Sequence, residues 1–303
     1  MDLELWTELS AAISDVERRW PRRARDTHPI SRIVRVHIWS VLHDRPTCWG
    51  CHARNWTDKT RPKQLPDQST MSRRMKRADF DQFLARLGPR MNGRLPAARP
   101  ERAKLIGLNF VDGKAFELPN HTTDRDAKWG RGVSRQSVGY KLHLLDSAVQ
   151  NPMPDAFAIT PLNRCEKQMA ARMIQRFKGT GYLLADSHFD ASWLFDHCRK
   201  HGRQLVCPRA KPNRGLGHHY QSPDRVRAIA MLESPANVNP FGPSLYRHRT
   251  IIERRFSQLV SFGGGIGSTL PSWVRRIWRV RRWVTAKLLI NAARIRLNRA
   301  VAA

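Results

Sequence analysis

Between residues 105 and 207, short apolar segments of strand length alternate with longer segments that have helical periodicity. The strand-like segments are 105–111, 115–118, 137–145, 156–160, 182–185 and 204–207. Helices are predicted at about 165–178 and 191–201, between these strands. Strands with helices between them indicate an α/β domain with a mixed sheet.

The N-terminal part of the chain has the pattern of an all-α region. Apolar residues recur at helical spacing over 1–20 and over 30–43. Another helix is predicted to begin near Asp67 or Ser69, either of which can act as its N-cap, and a short helix follows at 80–87. The basic residues behind this start are Arg73, Arg74, Lys76 and Arg77. A capped helix of this kind is typical of a helix-turn-helix unit that enters the major groove of DNA, with an ordinary basic surface helix as the alternative.

The chain carries a large excess of positive charge. It has 303 residues with 54 Lys and Arg against 25 Asp and Glu, a formal net charge of +29 and a pI near 11.4. Self-repulsion on this scale opposes compaction unless a polyanion neutralises it, so we expect a nucleic-acid partner rather than a merely solvated surface. An anionic membrane is a weaker alternative, since the sequence has no 18-residue apolar run and no lipidation signal.

Cysteine usage and the N-terminus favour a cytoplasmic protein. The first 20 residues begin with acidic side chains and have no apolar segment typical of a signal peptide. Five cysteines are spread over the chain, as expected of free thiols in a reducing compartment. Cys48, Cys51 and His52 match a CxxCH pattern, which is compatible with haem attachment, with half of a zinc site or with chance. Haem attachment requires export, and a zinc site requires a second pair of ligands.

Three acidic residues stand where their carboxylates could share a pocket. Asp112 follows the apolar segment LNFV and Asp186 follows YLLA, so each is predicted at the carboxyl end of a strand, where open α/β sheets bind ligands. Glu253 lies inside a predicted helix, on the same face as Tyr246 and Arg249. Carboxylates can bind a pair of divalent ions that promote reactions at a phosphodiester, and Mg²⁺ prefers such oxygen ligands. Taken singly, either aspartate can also be a turn or N-cap residue, and Glu253 can belong to a surface ion pair.

Several short sequence motifs resemble those of the DDE transposases of bacterial insertion sequences, in the group with the Y-R-E-K signature. They are VDGKAF, GYKLHLL, AFAITPLN, YLLADSHFDA and the spacing Tyr246-x2-Arg249-x3-Glu253, and the resemblance covers about residues 69–290. It implies a ribonuclease H-like catalytic core that binds two Mg²⁺ or Mn²⁺ ions through Asp112, Asp186 and Glu253. It also implies that Tyr246 and Arg249 contact the DNA at the end of the element.

The same resemblance implies cut-and-paste transposition by two-metal phosphodiester hydrolysis and transesterification. The partners would be double-stranded DNA, as terminal inverted repeats and as target, together with further copies of the chain in a synaptic complex. The protein would lie in the bacterial cytoplasm and on the nucleoid when bound to DNA.

The sequence departs from the signature at one position, because Val260 stands where the family has a lysine. This departure removes one expected contact with the DNA strand end. A catalytically inactive DNA-binding relic or regulator with the same fold is therefore the main alternative. A metal nuclease without strand transfer and an RNA-binding protein are two others, although no aromatic stacking motif of the RRM type is present.

The predicted organisation is a helical DNA-binding region at 1–98 and a catalytic domain at 99–303. A basic loop or small insertion is expected at about 208–245. The helix that carries Glu253 is expected to begin at Tyr246 and to end at Gly263–Gly265. A long amphipathic helix is expected at 271–298, with an apolar stripe in the core and most of its basic residues elsewhere.

Overall fold

The structure is a computed structural model that describes residues 2–21, 26–93, 107–148, 151–177, 179–216, 218–235, 237–261 and 267–301. The chain folds into two compact units, one of Met1–Pro96 with Gln258–Ala303 and one of Ala97–Ser257. The division predicted from the sequence differs, because it placed residues 258–303 with the catalytic domain. Its boundary at 98/99 lies outside the described residues, as does the predicted helix end at Gly263–Gly265.

The first unit is built from helices in the residues that the structure describes. They are α1 (Asp2–Arg18), α2 (Ile30–Leu42), α3 (Gln68–Met75), α4 (Ala78–Asn92) and, numbered in chain order, α10 (Ile277–Val301). The apolar stripes predicted for α1 and α2 are buried, as at Ile13 and Val34, and Val280 and Val284 of α10 are also buried. None of the helices in the described ranges is long and apolar enough to cross a lipid bilayer.

The predicted N-cap of α3 is confirmed. The Asp67 carboxylate accepts a hydrogen bond from the Thr70 backbone N–H at 2.8 Å. This bond satisfies one of the free N–H groups in the first turn and fixes where the helix begins.

The second unit contains a mixed sheet, as the sequence predicts. Its strands are β1 (Leu108–Leu118), β2 (Lys128–Arg131), β3 (Gln136–Ser147), β4 (Ala156–Pro161), β5 (Gly181–Leu184) and β6 (Arg203–Val206). The order is β2-β3-β1-β5-β6, and β4 also pairs with β3. Strands β1, β5 and β6 run parallel, whereas the pairs that β3 makes with β1, β2 and β4 are antiparallel.

Helices cover the sheet and follow its strands. They are α5 (Glu166–Arg176), α6 (Ser192–Lys200), α7 (Pro223–Glu233), α8 (Phe241–Arg247) and α9 (Thr250–Ser261). Apolar residues of β1, β5 and β6 pack with α5 and α6 in one buried cluster that includes Val111, Leu183 and Phe195.

Three sequence-based expectations differ from this fold. The segments 105–111 and 115–118 are not two strands, because β1 continues through Asp112 and Gly113 in register with β3. The region 208–245 is not only loop, since α7 begins there at Pro223, a residue suited to the first turn of a helix. The single helix expected from Tyr246 is interrupted between α8 and α9.

Candidate active site

The parallel pairing of β1 with β5 brings Asp112 and Asp186 together. Phe110 pairs with Leu184, and each aspartate lies two residues farther along its strand direction. Asp186 lies two residues after Leu184, the last residue of β5, and therefore close to the predicted strand end. Asp112 lies inside β1 rather than at a strand end, because β1 continues to pair with β3 after its pairing with β5 has ended.

Asp186 also acts as an N-cap, which was the alternative role considered for it from the sequence. Its carboxylate accepts a hydrogen bond from the backbone N–H of His188 at 3.0 Å and so caps a short 3₁₀ turn. The His188 Nδ1 atom lies 3.3 Å from the same carboxylate. The capping bond holds the side chain at the end of β5 and leaves carboxylate surface free, since about a third of the side chain is exposed.

A tight turn at His248 and Arg249 separates Tyr246 from Glu253. In this turn the Ile252 N–H donates to the Arg249 carbonyl at 3.1 Å, three residues back, as in a 3₁₀ turn. Tyr246 therefore lies on α8 and Glu253 on α9, with Arg249 in the connection. The prediction that one continuous helix carries all three side chains is wrong.

Arg249 connects the carboxylates of this site. Its guanidinium lies 3.8 Å from an Asp112 oxygen and forms an ion pair with Glu253. The Tyr246 hydroxyl donates a hydrogen bond at 3.1 Å to the carbonyl of Ala185, the residue before Asp186. Burial raises the pKa of Tyr246 to about 12, so this hydroxyl keeps its proton at neutral pH.

Charge and burial act together on Asp112. The pKa of this carboxyl is raised to about 6, mainly by burial and also by the nearby Asp186, although the Gly113 N–H and Arg249 oppose the rise. Two carboxylates held this close repel each other, and a cation between them relieves the repulsion.

The donor set fits a hard divalent cation. Carboxylate oxygens are the ligands that Mg²⁺ and Mn²⁺ prefer. Because Asp112 is largely buried and close to Asp186, a bound cation would stabilise its ionised form. Within the described ranges, no three His, Cys, Asp or Glu side chains are already gathered as metal ligands, and Glu253 is turned to Arg249. Cation binding by all three acids would therefore require Glu253 to exchange its arginine partner.

Sequence analysis did not single out Glu166 and Lys141, which lie next to this site. Glu166 opens α5 and forms an ion pair with Lys141 of β3. A methyl group on Gly113 would lie 3.1 Å from a Glu166 carboxylate oxygen. A glycine directly after Asp112 was the only local signal, since this contact joins three separate segments.

The four basic residues predicted to bind DNA from α3 have two different environments. Arg73 and Lys76 are exposed. Arg74 is buried and lies 2.6 Å from Asp26, and Arg77 lies 3.0 Å from the same carboxylate. Burial of Asp26 acts against ionisation, but the hydrogen bonds from Arg77 and Arg74 outweigh it and lower the pKa of Asp26. The geometry thus leaves Arg73 and Lys76 available to a partner and engages the other two within the fold.

The CxxCH segment forms a tight turn in the helical unit. Trp49–Cys51 is a short 3₁₀ helix, and the Cys51 thiol lies 3.6 Å from the Thr47 carbonyl oxygen. Burial raises the pKa of Cys51 to about 11, which disfavours the thiolate that metal binding needs.

Comparison with known proteins identifies one family. The family model described as "Transposase DDE domain" matches residues 105–267, which include Asp112, Asp186 and Glu253. No curated protein matches the chain. Among solved structures, a cryo-EM structure of a piggyBac transposase synaptic complex with hairpin DNA is similar, with a TM-score of 0.46 and 8% identity over 99% of this chain and 73% of that one.

Proposed function

The chain belongs to the family of transposase DDE domains, and from this membership we propose that it cuts DNA at the ends of a mobile element and joins those ends to a target. The observation that carries this proposal is the site in which Asp112 and Asp186 lie side by side with Arg249 and Glu253. The mixed sheet with helices behind it suits a ribonuclease H-like core, and we assign the chain to the Y-R-E-K group of bacterial insertion sequences on its Tyr246, Arg249 and Glu253.

The carboxylates supply the cation-binding part of the site. Asp112, Asp186 and Glu253 would hold two Mg²⁺ or Mn²⁺ ions, which activate the attacking oxygen and neutralise the leaving oxygen. The sheet fixes Asp112 and Asp186 on neighbouring strands, so their separation does not depend on a mobile loop. Glu253 is half-exposed and lies in the first turn of α9, so it can change partners at little cost.

Arg249 and Tyr246 hold the acidic residues in place before DNA binds. Arg249 shares its charge between Asp112 and Glu253 and so limits repulsion among the acids before DNA arrives. A phosphate group can replace a carboxylate as partner of this guanidinium, which makes Arg249 a contact for the DNA end. Tyr246 holds the carbonyl of Ala185 and thereby the chain that leads into Asp186.

The reaction has two displacements at phosphorus. In the first, water attacks the phosphodiester at the element's end, and the 3′ oxygen leaves as a hydroxyl. In the second, that hydroxyl attacks a phosphodiester of the target and releases one of its strands. Neither step forms a protein–DNA bond, so the Tyr246 hydroxyl is not needed as a nucleophile.

DNA binding would use both units. Arg73 and Lys76 on α3 are exposed and can contact phosphates, while Arg74 and Arg77 support α3 from within. We propose double-stranded DNA with terminal inverted repeats as the partner, and a synaptic complex of several copies as the active assembly.

The decisive experiment measures cleavage of a duplex that carries the inverted repeats flanking the gene, with Mg²⁺ or Mn²⁺ present. We expect Asp112→Asn, Asp186→Asn and Glu253→Gln to lower cleavage by more than about 1,000-fold, since each removes charge that stabilises the transition state. Binding to the same duplex should stay within a few-fold of the parent. The control is Asp58→Asn, whose carboxylate is 96% exposed in a loop and should not matter. Parental cleavage rates in the Asp112→Asn protein would contradict the assignment.

One observation favours a second candidate function. Val260, at the position of the signature lysine, is an exposed apolar side chain at 46% of its surface. A protein that binds the ends without cutting them would act as a regulator. Retention of all three acids argues against this, and a parent that binds end DNA but does not nick it would support it.

A further inference from the structure

The hairpin formed by β2 and β3 presents an exposed aromatic and basic surface far from the carboxylates. The Trp129 side chain on β2 is 57% exposed. Lys128, Arg131 and Arg135 are also exposed, and in the described part of the chain none of the three forms an ion pair. Val133, in the turn between the two strands, is 65% exposed, so the hairpin presents two large apolar side chains among these basic residues.

One hydrogen bond to β1 and one within the turn support this hairpin. The Val133 N–H donates to a Glu117 carboxylate oxygen at 2.7 Å, and the Gly132 N–H donates to the Arg135 carbonyl at 2.8 Å. A methyl group on Gly132 would lie 2.1 Å from the same carboxylate, so a larger residue there would displace the Glu117 side chain. A surface that is already ordered loses little entropy when it binds a partner.

Strand register places Trp129 on the face of the sheet that carries Asp112. Trp129 pairs with Val138, Val138 pairs with Leu118, and Leu118 is six residues along β1 from Asp112. Paired residues share a face and every second residue of a strand returns to it, so the two side chains lie on the same side. The offset along β1 is about 20 Å.

This offset matches a short length of duplex. At about 3.4 Å per base pair, 20 Å corresponds to about six base pairs. Arg131 shares the face of Trp129, whereas Lys128 is on the opposite face. Phe116 and Leu118 lie between Asp112 and Trp129 on this face and are buried. A duplex with its reactive phosphate at Asp112 would therefore cross this covered stretch before it meets Trp129 and Arg131 at the exposed edge of the sheet.

We propose that the β2–β3 hairpin is a second DNA contact, which grips the end duplex about six base pairs inward from the cleaved phosphate. In this contact Trp129 packs its ring against the DNA, while Arg131 neutralises a phosphate. The inference rests on the proposed transposase function. Free cations around one aromatic ring suit a nucleic acid better than a protein interface, whose buried centre is poor in charge.

The test combines a photocrosslink with affinity measurements on the full chain. A photoreactive phenylalanine derivative at position 129 should crosslink to the inverted-repeat duplex at about six base pairs from the cleaved phosphate. The matched control is the same group at position 193, because Trp193 of α6 is also exposed, at 47%. Crosslinks to a second copy of the chain, or to DNA equally from both positions, would overturn the proposal.

Substitutions test the face assignment. Trp129→Ala should weaken binding of the duplex about tenfold, and Trp129→Phe should restore most of it. Arg131→Gln should lower the slope of log affinity against log salt by about 1, whereas Lys128→Gln on the other face should change it by less than about half as much. Equal effects of the two substitutions would count against the contact. Thermal unfolding of each variant checks that the fold is intact.

The outcomes separate this inference from the function on which it rests. If the parent does not cleave the inverted-repeat duplex, the proposed function fails. If the parent cleaves it, while Trp129→Ala binds as the parent does and position 129 forms no DNA crosslink, only the hairpin contact is refuted.

Discussion

At the residue scale, Arg255 fixes the helix that presents Glu253. Its side chain is 3% exposed and lies 3.1 Å from the Asp146 carboxylate. The same guanidinium donates to the carbonyls of Asn151 and Pro152, each at 2.8 Å. Asp146 is on β3, two residues from Leu144, the partner of Asp112. Arg255 therefore connects the position of Glu253 to the strand that aligns Asp112.

We predict that Arg255→Lys lowers cleavage of end DNA by about 100-fold, because a lysine cannot make these contacts together and a small displacement of Glu253 is costly. Binding of end DNA should change little. The matched control is Arg254→Lys, since Arg254 is exposed and next in sequence. Cleavage assays and thermal unfolding of both variants give the comparison.

A double variant tests whether Arg255 acts by positioning Glu253 or only by stabilising the fold. Asp146→Asn with Arg255→Met removes both charges of the pair, so no unpaired buried charge remains and most of the stability should return. Cleavage should stay low, because the helix is still unanchored. Recovery of cleavage together with stability would mean that the pair serves only the fold.

At the element scale, α3 has an inner and an outer basic side. Arg74 reaches inward to Asp26, whose side chain is only 18% exposed, and Arg73 points outward beside it in sequence. The capping bond from Asp67 fixes the start of the helix and thus the direction of both arginines. Arg74 therefore anchors α3 within the fold, and Arg73 remains available to bind a partner.

We expect Arg74→Ala to destabilise the protein by roughly 2–3 kcal/mol, since it breaks a buried ion pair that Arg77 only partly replaces. Arg73→Ala should cost less than about 0.5 kcal/mol but reduce the salt dependence of DNA binding by one phosphate contact. Chemical denaturation and binding at several salt concentrations measure the two effects. Similar stability losses in both variants would contradict the inner and outer assignment.

At the scale of the whole molecule, each compact unit buries one histidine whose pKa is far below its usual range. Burial lowers the pKa of His37 in the helical unit and of His143 in the α/β unit to about 4 in each case. His143 is hydrogen-bonded to the Thr160 hydroxyl at 2.9 Å and stays neutral in the fold. The unfolded chain binds these protons near pH 6.5, before the folded chain does.

Stability should therefore fall as the pH is lowered. A buried histidine with a lowered pKa adds its full contribution to the free energy of unfolding above pH 6.5. This contribution is lost as the pH falls from about 6.5 to 4. We expect His143→Gln to make the melting temperature less dependent on pH in this window. His52→Gln, at an exposed position, should follow the parent. If the melting temperature depended on pH equally in the parent and in His143→Gln, the lowered pKa assigned to His143 would be contradicted.

The sequence by itself determined the features that depend on local periodicity. Alternating and helical spacing predicted the mixed α/β unit, the first two helices, the cap at Asp67 and the place of Asp186 after its strand. These are local because side-chain direction repeats every two residues in a strand and every 3.6 in a helix. The local contexts of Asp112, Asp186 and Glu253 also marked them as a possible group, and the two-ion ligand set that the family resemblance implies stays a prediction.

Only the tertiary structure decided what depends on distant segments. The Asp-Gly pair at 112–113 looked like a strand end, but its pairing with β3 runs straight through it. Most basic residues of the last helix were expected off its apolar stripe, yet Arg282 and Lys287 are buried. Each forms an ion pair with an aspartate from far earlier in the chain, Asp81 and Asp44 respectively. A charged side chain leaves water only where a partner replaces its hydration, and no local pattern records a partner more than 200 residues away.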